Sequence, residues 1–128
     1  MPQQDLDFST FQTLLDSAHN LKHIELLGEG EPLLHPQFFG MINYARIRFP
    51  AIAISFITNG SLFTTENISK ILAANIHAIL ISIESADENE FQQIRSGKLT
   101  RVKRGIKYLM EQKNALNSTL KIGFAVTV

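Results

Sequence analysis

The sequence predicts an α/β fold in which a parallel β-sheet alternates with α-helices. Short apolar runs centred near residues 25, 54, 80 and 123 are separated by segments whose apolar residues recur at helical spacing. This alternation is typical of right-handed βαβ units. In addition, no stretch rich in Pro, Gly or Ser and no long run of like charge interrupts the 128 residues. We therefore expect one domain, covering residues 1–128, with a single hydrophobic core.

Five segments carry signals of helices, which are apolar residues three and four positions apart or a capping residue in front. In the first segment, Ser9 and Gln12 have the spacing of a capping box. Either Thr64 or Thr65 can cap the third. The predicted helices are Phe8 to Ala18, a segment that starts after Pro36, a segment that starts at Thr64 or Thr65, Asp87 to Ile94, and about Leu99 to Glu111.

Four apolar runs predict strands. The runs around residues 54 and 80 are almost continuously apolar and rich in isoleucine, as expected for strands that are buried on both faces. The pair Asn59-Gly60 favours a turn directly after the second run. The predicted strands are His23 to Leu27, Ala51 to Ile57, His77 to Ile83 and Leu120 to Val128.

Composition excludes several classes of function. Twelve basic and twelve acidic side chains give a formal net charge of zero, so no overall field attracts nucleic acid or an anionic membrane surface. The apolar runs are far shorter than the roughly 20 residues that span a bilayer, and no signal peptide opens the chain. We therefore expect a cytoplasmic protein without nucleic-acid or membrane partners.

The residue types needed for metal or hydrolytic chemistry are missing or badly spaced. The chain has no cysteine, which excludes disulfides and thiolate metal sites within it. Its four histidines have no mutual spacing that suits a metal. No G-x-S-x-G elbow places a serine nucleophile. We therefore predict no catalytic and no metal-ligating residue in this chain.

The loop GEGEPLLHP, from Gly28 to Pro36, directly follows the first predicted strand. Its glycines let a ligand approach the main chain closely, and Pro32 biases Glu31 toward extended geometry. Carboxylates and exposed carbonyls accept hydrogen bonds from a cation and repel a phosphate, so this loop suits an ammonium group. The alternative is a solvated turn whose acidic side chains face water.

Polar residues also end the next two strands. Ser82 and Glu84 are two positions apart on one strand and therefore share a face. They are either site residues or the first solvated positions of the loop. Asn59 is likewise either a site residue or simply part of the Asn-Gly turn. The carboxyl ends of parallel strands are where α/β proteins gather their ligands.

The motifs GEGEPLLHP (28–36), ITNGS (57–61), ISIES (81–85) and FQQIRSG (91–97) occur in an order and at intervals that resemble the core of radical S-adenosylmethionine (SAM) enzymes. The likeness covers nearly the whole chain. It implies a partial (β/α)6 barrel, related to the TIM barrel, in which SAM and a 4Fe-4S cluster meet at the strand ends. It also implies that the chain is an incomplete core domain, from the first helix to about the fifth strand, lacking the first strand and its cluster loop.

The resemblance assigns roles to individual residues. The family's Gly-Gly-Glu motif binds the methionine amino group and corresponds here to Glu29, Gly30 and Glu31, with Glu29 in place of the first glycine and Gly28 before it. Ser82 and Glu84 correspond to polar residues that approach the ribose. Arg95 corresponds to a basic residue that pairs with the ligand carboxylate in some members. The resulting set of cofactor-binding candidates is Gly28, Glu29, Gly30, Glu31, Pro32, Asn59, Ser82, Glu84 and Arg95.

The missing cysteines set this chain apart from the family pattern, because the family's C-x-x-x-C-x-x-C motif supplies the thiolates of the cluster. The chain alone is therefore predicted to be inactive. Three interpretations remain open: part of a longer enzyme whose first strand and cysteine loop lie upstream of Met1, a cysteine-free relative that binds a peptide, protein or nucleoside, and an unrelated α/β domain. In the first, the substrate is unknown, with a mild preference for a peptide or small molecule.

If the neighbouring strand lies outside this chain, His23 to Leu27 would form an unpaired sheet edge, which favours self-association. We expect the chain to dimerise with increasing concentration through this edge. Size-exclusion chromatography with light scattering would detect the rise in mass, and a constant monomer mass over a wide concentration range would contradict the expectation.

Overall fold

The computed structural model of the protein describes residues 6–27, 31–84 and 99–127. Within these ranges, helices and strands alternate along the chain. The elements are α1 (Phe8–Asp16), β1 (His23–Leu26), a 3₁₀-helix (Pro32–Leu34), α2 (Phe38–Arg48), β2 (Ala53–Thr58), α3 (Thr65–Ala73), β3 (Ala78–Glu84), α4 (Leu99–Ala115) and β4 (Lys121–Thr127). None of the helices in these ranges is long and apolar enough to cross a membrane.

The strands form one four-stranded sheet in the order β1-β2-β3-β4, and every neighbouring pair is parallel. The predicted α/β class and parallel sheet are confirmed, and the arrangement is consistent with part of a radical SAM barrel. Within the described ranges, β1 pairs with β2 alone and lies at one edge of the sheet.

Capping side chains explain where α1 and α3 begin. Thr64 caps α3 by accepting a hydrogen bond from the Asn67 amide at 3.1 Å, which decides between the two predicted threonines. The predicted capping box at Ser9 is wrong, because Asp7 caps α1 and accepts from the Thr10 amide at 2.7 Å. Hydrogen bonds from Thr10, and then from Ser9, lower the pKa of Asp7. A carboxylate is the stronger acceptor for helix amides, so the helix starts at Phe8 and Ser9 lies inside its first turn.

Three of the predicted helices differ from the structure or fall outside the described residues. Helix α1 ends at Asp16, two residues before the predicted end, whereas α4 continues four residues beyond the predicted Glu111, to Ala115. The predicted helix from Asp87 to Ile94 lies outside the described residues.

The hydrophobic core lies on one face of the sheet. Alternate residues of the central strands, such as Ile54 and Phe56 of β2 and Ile79 and Ile81 of β3, are at most 1% exposed. They pack against apolar side chains of the helices, including Ile68, Ile71 and Leu109. Because right-handed crossovers between neighbouring parallel strands place the helices on the same side, a single layer of helices covers this face.

The other face of the sheet carries the alternate side chains and is more polar at its amino-terminal end. Here the register aligns Glu25 with Ser55, Ser55 with Ala78, and Ala78 with Lys121. None of these four residues belongs to the hydrophobic core of the described ranges. We refer to this surface as the helix-free face, meaning the face that the described helices do not cover.

Arg46, near the end of α2, joins elements at the amino-terminal edge of the sheet. Its guanidinium donates hydrogen bonds to the carbonyl oxygens of Ile52 and Asn75, the latter at 2.9 Å. Ile52 directly precedes β2, and Asn75 lies just after α3 with a positive φ of 56°. The arginine thereby links the end of α2 to the residues that precede β2 and β3.

We expect Gly105→Ala to destabilise the protein although alanine is the better helix former by about 1 kcal/mol. A Cβ at position 105 would lie 2.7 Å from the Phe63 Cβ and 3.2 Å from the Phe63 carbonyl oxygen. Backbone atoms cannot move aside as a side-chain tip can, so the free energy of unfolding should fall by about 1–3 kcal/mol. Urea denaturation would measure this change.

Gly40→Ala in α2 is the matched control. Its added Cβ would meet the tip of the Phe8 ring at 3.2 Å, and that ring can shift. We expect little change or a small gain in stability. Equal stabilities for Gly105→Ala and the wild type would show that α4 does not pack closely against Phe63.

Candidate functional site

The candidate site lies at the carboxyl ends of β1 and β2 and is built around Glu31. This residue precedes the 3₁₀-helix Pro32–Leu34 and has an extended backbone, with φ −84° and ψ 117°. That conformation agrees with the predicted effect of Pro32 on its predecessor. The Glu31 side chain also accepts from the Leu33 amide at 3.4 Å, so it caps the short helix that follows it.

The Glu31 carboxylate joins the loop after β1 to the end of β2. Its Oε1 accepts from the Thr58 hydroxyl at 2.5 Å, and its Oε2 accepts from the Asn59 amide at 2.7 Å. The side chain is half-buried. Since each carboxylate oxygen has two acceptor positions, Oε2 keeps one for a further donor such as an ammonium group.

The segment Thr58-Asn59-Gly60 is itself held by local hydrogen bonds. The Asn59 Oδ1 accepts from the amide and the hydroxyl of Ser61, at 2.9 and 2.6 Å, and the Gly60 amide donates to Thr58 Oγ1 at 3.2 Å. Gly60 has a φ of 77°, a conformation that favours glycine. Of the two interpretations of Asn59, its side-chain oxygen therefore serves the turn, while its backbone amide contacts Glu31.

Ser82 lies on the helix-free face near the same edge. It is half-buried and follows Ile81, which pairs with Thr58 across the sheet. On its other side, Ser82 pairs with Ala125 of β4. The structure thus places Ser82 one strand away from the Thr58 end of β2.

Several candidates from the sequence fall outside what the structure describes. Gly28, Glu29, Gly30 and Arg95 are not among the described residues, and for Glu84 the backbone of β3 is described but the side chain is not. The proposed roles of these residues therefore stay predictions. Of the predicted set, the described residues bring together Glu31, Pro32 and Asn59.

Sequence reasoning missed Thr58. The predicted strand ends at Ile57, yet Thr58 is the last residue of β2, is 1% exposed and donates its hydroxyl hydrogen to Glu31. A signal was present, since a threonine that closes an apolar strand needs a hydrogen-bond partner when it is buried. A second missed contact joins His23 Nε2 and Ser55 Oγ at 3.3 Å, on the helix-free face.

Comparison with known families identifies the family to which this chain belongs. A family model described as the Radical SAM superfamily matches residues 2–123. The chain belongs to the radical SAM superfamily. The resemblance drawn from the motifs is thereby confirmed, whereas the correspondence of Glu31 to the family's Gly-Gly-Glu motif stays a prediction.

Two curated relatives share this part of their sequence with the chain. A tungsten-containing aldehyde ferredoxin oxidoreductase cofactor-modifying protein of Pyrococcus furiosus is 30% identical over 83 residues, which is 62% of this chain and 23% of that protein. An AdoMet-dependent heme synthase of Methanosarcina barkeri is 28% identical over 112 residues, which is 85% of this chain and 32% of that protein. The chain thus spans between about a quarter and a third of these relatives.

The two groups used by radical SAM enzymes fit this chain differently. Iron–sulfur clusters are held by cysteine thiolates, and the chain has no cysteine, so it cannot hold the cluster itself. In the described ranges, no group of three or more His, Asp or Glu side chains is arranged to hold a metal either. An ammonium group, in contrast, fits the free acceptor position of Glu31.

We expect Glu31→Ala to speed hydrogen exchange at the Asn59 amide, because this amide then loses its acceptor at 2.7 Å. The change should also cost about 1–3 kcal/mol of stability, since the buried Thr58 hydroxyl is left without its acceptor. Exchange followed by NMR and urea denaturation would measure the two effects.

Glu66→Ala is the control, because Glu66 pairs with Lys70 on the exposed surface of α3. Such a pair contributes about 0.2–1 kcal/mol, and exchange at Asn59 should not change. Unaltered exchange at Asn59 in Glu31→Ala would show that the carboxylate does not bind the end of β2.

Proposed function

We propose that this chain forms the SAM-binding part of a radical SAM enzyme, with cluster thiolates supplied from outside these 128 residues. The observation that carries the proposal is the position of the Glu31 carboxylate. Hydrogen bonds to both of its oxygens hold it at the carboxyl edge of a parallel sheet. Family membership supports the proposal, because Glu29, Gly30 and Glu31 correspond to the family's Gly-Gly-Glu motif, which binds the methionine amino group.

Within this proposal, the residues of the chain have separate tasks. Glu31 accepts hydrogen bonds from the ammonium group of SAM and balances its charge. Ser82 and Glu84 contact the ribose, and Arg95 pairs with the carboxylate of the methionine part. Gly28 and Gly30 let the ligand lie close to the main chain, and Glu29 takes the place of the first glycine of the family's motif.

The chain's own contribution is binding and orientation. The chemistry supplied by a bound 4Fe-4S cluster is one-electron reduction, which cleaves SAM and starts radical chemistry on a substrate. Since the chain provides no thiolate, we propose that it has no such activity alone. Glu31 and the strand ends would hold SAM in one orientation toward whichever segment provides the cysteines.

We propose a small molecule as the substrate class, one of the two that the sequence leaves open. The names of the two relatives, a cofactor-modifying protein and a heme synthase, both refer to the chemistry of small prosthetic molecules.

A second candidate function is a cysteine-free module that binds a nucleoside bearing an ammonium group. The hydrogen bonds of Glu31 to Thr58 and Asn59 favour it, because they need no cluster to form. The two functions differ in whether SAM binding depends on a cluster.

We expect Glu31→Gln to weaken SAM binding by about tenfold to a hundredfold, because a charge-assisted hydrogen bond contributes about 1.5–3 kcal/mol. Isothermal titration calorimetry on the full-length protein with its cluster would measure the affinity. The same titration of the 128-residue chain tests the second function, for which cluster-free binding of the same strength is expected.

The control is Glu66→Gln, which removes a carboxylate of α3 that is paired with Lys70. It should bind SAM as the wild type does. An unchanged affinity in Glu31→Gln would remove Glu31 from the site and contradict the proposed function.

A further inference from the structure

We infer that Thr58 is a positioning residue that orients the Glu31 carboxylate for the incoming ammonium group. This inference rests on the proposed function, because it assigns the ligand of Glu31. Thr58 does not belong to the predicted set of cofactor-binding residues, and its hydroxyl is directed to Glu31 and Gly60.

The hydrogen of the Thr58 hydroxyl and one of its two acceptor positions are occupied. The hydroxyl has a single hydrogen, which it donates to Glu31 Oε1 at 2.5 Å, and it accepts from the Gly60 amide at 3.2 Å. The residue is 1% exposed, so water does not replace either bond. Because the Gly60 amide occupies an acceptor position of the hydroxyl, the hydrogen is directed toward Glu31.

The sheet fixes where this hydroxyl lies. Thr58 is the last residue of β2, an interior strand that pairs with β1 and β3, and it is aligned with Ile81. Its β-branched side chain has few rotamers. Glu31, in contrast, has a long and flexible side chain on the loop after β1. The rigid partner therefore determines the orientation of the flexible one.

The carboxylate held in this way presents its remaining acceptor position in a constant direction. The Asn59 amide holds Oε2 at 2.7 Å and belongs to the same turn as Thr58, so both oxygens are positioned by the end of β2. A glutamate ordered before the ligand arrives loses less side-chain entropy on binding. The hydroxyl thus raises the affinity for an ammonium group without touching it.

The test compares SAM affinity in variants of Thr58, measured by calorimetry on the cluster-containing full-length protein. Thr58→Val keeps the shape and removes the hydroxyl, and we expect about threefold to tenfold weaker binding, the effect of losing one hydrogen bond. Thr58→Ser retains the hydroxyl and should restore most of the affinity. Thr58→Ala and Thr58→Ser form a second pair that tests the hydroxyl if the valine variant does not fold.

A second measurement needs neither cluster nor SAM. In the 128-residue chain, hydrogen exchange at the Asn59 amide should be faster in Thr58→Val than in the wild type and slow again in Thr58→Ser. Ser55→Ala is the matched control, since it removes another buried hydroxyl of β2, one that contacts His23 and not Glu31. This variant should leave both SAM affinity and Asn59 exchange unchanged.

The outcomes separate the two proposals. If Glu31→Gln weakens binding and Thr58→Val does not, the positioning role is wrong and the proposed function stands. If Thr58→Ser binds as weakly as Thr58→Val, or Ser55→Ala weakens binding equally, the hydroxyl has no specific role and the inference is overturned. If Glu31→Gln binds SAM as the wild type does, the proposed function fails and this inference fails with it.

Discussion

Parallel pairing of neighbouring strands is the constraint on which the rest of this structure depends. Two parallel strands cannot be joined by a tight turn, so each connection must cross the sheet, and right-handed crossovers keep the helices on one side. The isoleucine-rich sides of β2 and β3 are buried against that layer. The other face and the carboxyl edge are left for polar groups, which is where Glu31, Thr58 and Ser82 lie.

The Glu31 contacts show how a charged group is accommodated at this edge. The carboxylate is half-buried, and burial of a charge is costly unless hydrogen bonds compensate for it. Compensation comes from Thr58 and Asn59, about 27 residues further along the chain. The site therefore forms only when β1 and β2 are paired. The position of the carboxylate and the formation of the sheet are thus coupled through one side chain.

The fold class could be predicted because it depends on local composition. Apolar runs that bury their side chains, and capping residues such as Thr64, act over a few neighbouring positions. The sequence predicts Ser9 as the cap of α1, whereas Asp7 caps it. Both side chains can accept hydrogen bonds from the amides of this helix end, and which of them does so depends on the backbone geometry. The contact between Glu31 and Thr58 could not be predicted, since it depends on the register of β1 and β2. The motifs singled out the loop that carries Glu31, but not the hydroxyl of Thr58 that contacts it.

The hydrogen bonds of Arg46 lie at the opposite edge of the sheet, where they hold the approaches to β2 and β3. Anchoring at the amino-terminal edge and the proposed ligand contacts at the carboxyl edge are thus carried by different residues. Such a separation permits divergence. Substitutions in the loops at the carboxyl edge can alter ligand preference while the hydrogen bonds of Arg46 stay unchanged. One scaffold can therefore acquire new specificities without a new fold.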